Sequence, residues 1–125
     1  MKRLKIIAGV VAVTGLVMLG AAGSSMAAQI FAGSGRDISL DASVIPAYLK
    51  PNLELMQKKC SLCHGLDLSF GSIQTGVTPS GVPFEKSGIQ SLGVRMLRKP
   101  GSDMTTAELK KILELINWLR EEITK

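Results

Sequence analysis

The stretch KKCSLCHGLD holds every cysteine and the one histidine of this 125-residue chain: Cys60, Cys63 and His64. Two thiols spaced by two residues and followed at once by an imidazole could bind a metal, exchange a disulfide or attach a cofactor. Structural zinc needs four Cys or His ligands, and the chain offers three. A thioredoxin-type dithiol needs a βαβ context, and no alternating strand pattern flanks the motif. A simple Cys60–Cys63 disulfide would leave His64 without a role.

Covalent haem attachment uses all three residues, because C-x-x-C-H is the attachment signature of c-type haem. The two thiols add across the two vinyl groups of the porphyrin, and their spacing on a helical turn lets both reach one porphyrin edge. The imidazole that follows is then placed to bind the iron as proximal ligand. The porphyrin itself supplies four nitrogens. The motif therefore favours one haem c, bound through Cys60 and Cys63 with His64 on the iron.

Helical patterns lie before and after this motif. The segment LKPNLELMQKKCSLCH has a proline suited to a first helical turn and apolar residues on one face, so it predicts a helix that closes at the motif. FEKSGIQSLGVRMLRK predicts a short helix that PGSD stops. Thr105 and Glu108 form a capping box that opens a final helix. Its apolar stripe, which Trp118 flanks, consists of Leu109, Ile112, Leu113, Ile116, Leu119 and Ile123.

Two further segments show no sustained period. Residues 28–46 carry Gly33, Gly35 and Pro46 and predict an extended arm or linker. Residues 65–83 hold four glycines and two prolines, and they predict a long loop. A loop of that length in a small domain usually encloses a binding site.

The first residues have the order of a secretory signal: a basic MKRLK, an apolar run and a small-residue SSMAAQ. We expect residues 1–27 to be a signal peptide, cut after Ala27 or Ala28, which predicts a periplasmic, exported protein. The alternative is an uncleaved anchor in which residues 6–22 cross the membrane. The formal net charge of +5 falls to +2 without the three basic residues of MKRLK, and this does not suit nucleic-acid binding.

Residues 48–123 resemble the small single-haem cytochromes c of the class I type. The resemblance rests on CSLCH, on the helix leading into it, and on INWL, where the family usually has an aromatic residue followed by leucine. It implies an all-α fold of three or four helices wrapped around one covalently bound haem, with the haem-binding domain over residues 47–125. It also implies that the first and last helices cross, with Leu53 and Met56 against Leu113, Ile116 and Trp118.

The resemblance also implies a methionine as the sixth iron ligand. VRMLRKPGSDMT looks like a variant of domains with Arg-Met before a Lys-Pro-Gly-Ser turn, although neither methionine here precedes a proline as the family often has it. Met96 precedes the Thr105 cap by nine positions, close to the family interval, so we expect Met96 to bind iron. Met104 is the first alternative, and an open or other sixth position is the second. The family further implies that a carbonyl near Pro79 or Pro83 accepts the N–H of the proximal imidazole.

A haem with histidine and methionine on the iron carries one electron at a time and has no open position for substrate. The resemblance therefore implies an electron carrier between redox partners, not an enzyme. Alternatives are a haem-based ligand-binding or sensor module, or a membrane-tethered subunit of an oxidoreductase complex. The basic residues near the motif and the distal segment would favour partners with acidic docking surfaces: Lys58, Lys59, Lys86, Arg95, Arg98 and Lys99.

Overall fold

The computed structural model describes residues 30–125, and this part of the chain is all-α in character. The elements are α1 (Lys50–Cys60), α2 (Leu66–Thr75), α3 (Lys86–Leu97) and α4 (Thr106–Thr124), preceded by the short strands β1 (Phe31–Ala32) and β2 (Ser39–Leu40). The predicted helices at α1, α3 and α4 are confirmed. The predicted signal peptide at residues 1–27 lies outside the described residues.

The helices α1 and α4 pack against each other and form the centre of the core. α1 starts with a proline in its first turn, and its buried face carries Leu53 and Met56. α4 opens with the predicted capping box: the Thr105 hydroxyl accepts from the Glu108 N–H at 3.1 Å, and the Glu108 carboxylate accepts from the Thr105 N–H at 2.8 Å. The capping box thus satisfies two backbone amides at this helix start, those of Thr105 and Glu108, and so fixes the start of α4.

The helix α2 corrects the prediction of a continuous loop over residues 65–83. Its face buries Phe70 and Ile73 in the core. Gly71, which costs a helix about 1 kcal/mol relative to alanine, obscures that face in the sequence. α2 ends where Gly76 adopts a left-handed φ of +76°. Of the predicted loop, residues 76–83 keep an irregular path.

The segment predicted as an arm or linker packs onto the domain where the structure describes it. β1 and β2 pair antiparallel, with Phe31 opposite Leu40. The Phe31 ring lies 5.7 Å from that of Phe70 on α2, centroid to centroid. Ile30, Phe31, Ile38 and Ile45 are all buried in the core. These short elements escape a search for periodic patterns because two-residue strands and single 3₁₀ turns show no period.

The helices α3 and α4 approach each other closely at Gly93. A Cβ placed on this glycine would lie 3.0 Å from Leu109 Cδ1 and 3.0 Å from Leu113 Cδ2. Leu113 therefore lies beside Gly93 of α3. Within residues 30–125, none of the helices has the length and apolar character needed to cross a bilayer.

Candidate cofactor site

The end of α1 positions the two cysteines differently. Cys60 is the last residue of α1 and is half-buried, whereas Cys63 lies in the following turn and is exposed. Both are free thiols. Burial raises the pKa of the Cys60 thiol, and the neighbouring Cys63 charge raises it further. The pair therefore consists of one sheltered, protonated thiol and one that solvent and reagents reach freely.

The His64 ring is half-buried and oriented by the backbone beside it. Its Nδ1 lies 2.8 Å from the Gly65 carbonyl oxygen. Because a carbonyl oxygen accepts only, Nδ1 is the donor in this contact, and in the neutral ring this leaves the lone pair on Nε2. In this structure the partner is thus the Gly65 carbonyl and not a carbonyl near Pro79 or Pro83. Either partner leaves Nε2 ready to bind a metal.

A cavity of about 320 Å³ lies between the motif and the helices α2, α3 and α4. This volume falls in the range of about 300–1,000 Å³ usual for ligand pockets. Four potential donors of sulfur or nitrogen line it: Cys60, His64, Met96 and Met104. The rest of its wall is mostly apolar and includes Leu68, Phe84, Ile89, Leu92, Leu109, Ile112, Leu113 and Ile116. An apolar cleft with a few convergent donors suits a large, flat, hydrophobic cofactor.

A second cavity of about 260 Å³ adjoins the first. The same four donors line both, so they form the boundary between the two spaces. The other residues of the second cavity are Lys59, Cys63, Lys99, Pro100 and Ser102. The structure thus brings every predicted site residue, from Cys60 to Met104, around one continuous region.

The two candidate methionines differ in their surroundings. Met96 lies in the last turn of α3, and Met104 lies just before the cap of α4. Both are half-buried and line both cavities. Met104 also packs against the hydrophobic core. Met56 is fully buried in the core, in the middle of α1, and lines neither cavity.

The donor set suits a metal within a macrocycle better than a bare metal ion. Within residues 30–125, no cluster of three or more His, Cys, Asp or Glu side chains is arranged to hold a metal ion. A porphyrin changes this requirement, because it supplies four nitrogens and needs only axial ligands from the chain. One imidazole, two thioether sulfurs and two thiols around an apolar cleft fit that requirement.

Two parts of the site have no counterpart in the sequence-based prediction. The prediction does not include the wall formed by Leu68 and Ser72, because it does not include the helix α2 to which they belong. The sequence indicates Lys59 only as a surface charge, although this residue lines the second cavity. The apolar pair Phe70 and Ile73, spaced by three residues, is the available signal for α2. No sequence signal indicates that Lys59 lines this cavity.

Comparison of the chain with known proteins gave no match to a family model, a curated protein or a solved structure. The side chains and their placement are therefore what points to a function.

Proposed function

We propose that this chain is a single-haem c-type cytochrome that carries one electron at a time between redox partners outside the cytoplasmic membrane. The observation that carries the proposal is that Cys60, His64, Met96 and Met104 line one apolar cavity of about 320 Å³. These residues come from three places in the chain, yet they meet at one cleft. When bound, haem would supply a one-electron couple whose potential depends on the axial ligands and on burial.

Each side chain of the motif has a distinct task in this proposal. Cys60 and Cys63 anchor the porphyrin as thioethers. His64 presents Nε2 to the iron, because its Nδ1–H is donated to the Gly65 carbonyl at 2.8 Å. This hydrogen bond fixes the tautomer and makes the imidazole a stronger ligand. The apolar wall excludes water from the region around the iron, which restricts access by competing ligands.

Met96 is the proposed distal ligand, with Met104 as the alternative. Both thioethers line the cavities, but Met104 is also engaged in packing against the core. Met96 occupies the end of α3, and a connection of residues 98–105 follows it before α4 begins. A thioether on the iron leaves no open coordination position, which favours a carrier over a sensor module or an enzyme.

The charges around the cleft support docking of an acidic partner. Arg95 lines the first cavity and Lys99 the second, and both are exposed. Lys58 is also exposed, close to the motif. Lys59 does not belong with this group, since its side chain is only 11% exposed and is paired with carboxylates. Exposed cations at the opening would steer an acidic partner toward the haem edge.

The test is to express the full chain in a host that exports proteins and attaches haem c. Intact mass should show one covalent haem, and the mass of the protein part reports whether the first 27 or 28 residues are removed. Cys60→Ser with Cys63→Ser is the control and should yield no protein that carries covalent haem. A wild-type chain without haem under these conditions would contradict the proposal.

The absorption of the ferric protein separates the carrier from a sensor. A methionine on the iron gives a characteristic charge-transfer band and slow reaction with carbon monoxide in the ferrous state. Absence of the band together with fast carbon monoxide binding would favour the ligand-binding module. An uncleaved chain in the membrane fraction would favour the tethered subunit.

A further inference from the structure

Lys59, the residue before Cys60, connects α1 to the start of α4. Its side chain is only 11% exposed, which is unusual for lysine. Its ammonium group donates to the Asp103 carbonyl oxygen and lies 3.5 Å from both Asp103 Oδ2 and Glu108 Oε1. A buried ammonium group is tolerated only with such partners. The Asp103 carboxylate is 88% exposed and adds little, so the carbonyl and Glu108 are the partners that matter.

These contacts hold the α3–α4 connection, residues 98–105. Asp103 within it has a φ of +45°, in the left-handed region that a non-glycine residue rarely occupies. Such a conformation persists where the surroundings determine it. Ser102 donates its hydroxyl to the Leu97 carbonyl at 3.0 Å, but this bond ties the connection only to α3. In the described part of the chain, the hydrogen bond that joins the connection to α1 comes from Lys59.

The second cavity lies between the two parts that Lys59 joins. Lys59, Cys60, Cys63 and His64 line it from the motif side, and Lys99, Pro100, Ser102 and Met104 line it from the connection. Separation of α1 from the connection would widen this space at His64. Lys59 is thus placed to control the width of the opening next to the donor atoms.

We propose that Lys59 is a positioning residue that latches the α3–α4 connection to α1 and thereby keeps small external ligands away from the iron. The guarding role rests on the proposed function, whereas the latch itself does not. Glu108 serves the latch with one carboxylate oxygen and the cap of α4 with the other. The latch therefore also links the motif to the start of α4.

The test compares Lys59→Met with Lys58→Met, which removes the same charge from the exposed neighbouring residue. The first measurement is hydrogen exchange of the backbone amides of residues 99–105 in the purified full chain. The second is the association rate of imidazole with the ferric haem. Loss of a charged hydrogen bond should raise both rates about tenfold in Lys59→Met, while Lys58→Met stays within about twofold of wild type. Lys59→Arg should restore much of the protection.

The outcomes separate the latch from the haem. Unchanged exchange in Lys59→Met overturns the latch, whether or not haem is present. Faster exchange without faster imidazole binding overturns the guarding role. A chain without haem overturns the proposed function and the guarding role together, and exchange then decides the latch alone. Should Lys59→Met fail to fold, Glu108→Gln weakens the same contact from the other side while keeping an acceptor for the cap, and the same exchange result is required of it.

Discussion

Substitution of Gly93 by alanine tests how closely α3 approaches α4 beside the cavity. The new Cβ would lie 3.0 Å from one methyl carbon of Leu109 and 3.0 Å from one of Leu113. Carbon atoms in good contact lie about 3.5–4.0 Å apart, so both leucine side chains must shift by a few tenths of an ångström. Leu109 is buried, and both leucines line the cavity. Their shift therefore reaches the candidate site directly.

Two opposing effects set the magnitude for Gly93→Ala. Replacing glycine by alanine within a helix stabilises it by about 1 kcal/mol. Overpacking a well-packed interface costs about 1–3 kcal/mol. The net change in the free energy of unfolding should therefore range from near zero to a loss of about 2 kcal/mol. The gain in helix propensity alone would instead increase the free energy of unfolding.

Gly71→Ala is the matched control, because Gly71 also lies within a helix but has open space where the new methyl group would go, with no atom within 4 Å. It should gain the full helix contribution of about 1 kcal/mol. Urea unfolding followed by circular dichroism measures both variants, and the difference between them should be about 1–3 kcal/mol. Equal stabilisation by the two substitutions would refute the close approach of α3 and α4.

Three further predictions concern the site and the cap. Met96→Ala should abolish the iron–sulfur absorption band and open the iron to carbon monoxide, whereas Met104→Ala should keep the band and, because Met104 is half-buried, cost at most about 2 kcal/mol of stability. Cys60→Ala with Cys63→Ala should give a chain that fails to fold and is degraded, because the apolar cleft would lose the covalently held group that we propose fills it. Glu108→Gln should reduce the free energy of unfolding at neutral pH, and its difference from wild type should shrink as the pH falls below 4.5.

The lowered pKa of Glu108 determines how its contribution to stability depends on pH. The hydrogen bond from the Thr105 N–H lowers the pKa of Glu108 from its ordinary value of 4.5, and the Lys59 charge lowers it further. The contribution of the Glu108 carboxylate to the free energy of unfolding is therefore complete above pH 4.5, and it is lost as the pH falls through the lower pKa of the folded state. Urea unfolding at several pH values measures it. A difference that stays constant down to the folded-state pKa would contradict the assignment.

Controls for the other two predictions use the same spectra and circular dichroism. Reversed behaviour of Met96→Ala and Met104→Ala would make Met104 the ligand. If both variants keep the band, the iron ligand must be a residue other than these two methionines. A stable, cooperative helical fold of the double cysteine variant would show that the cavity is not costly to leave unfilled.

The elements with strong local signals were predictable from the sequence. The capping box at Thr105 and the apolar stripe that follows mark α4 at both the start and the face. The haem hypothesis rests on the residue types and spacing of the motif, which need no tertiary information. The confirmed helix that ends at Cys60 follows from the apolar spacing of Leu53 and Met56.

Parts of the fold that depend on tertiary contacts were not predictable. α2 has a glycine at its centre, and the burial of Phe70 and Ile73 compensates for it. The sequence does not show that compensation, because the Phe31 ring that meets Phe70 comes from a segment with no period. The partner of the His64 ring and the burial of Lys59 depend likewise on backbone geometry that spacing does not specify.

The pairing of α1 with α4 has a consequence for the order of folding. About 45 residues lie between these helices, and bringing the two ends of a segment of this length together costs about 3 kcal/mol in chain entropy. Most of the cavity wall, including α2 and α3, belongs to this segment. If the segment opens as a unit while α1 and α4 stay paired, the free energy required is less than that of global unfolding. The cavity would then be accessible to a bulky planar molecule.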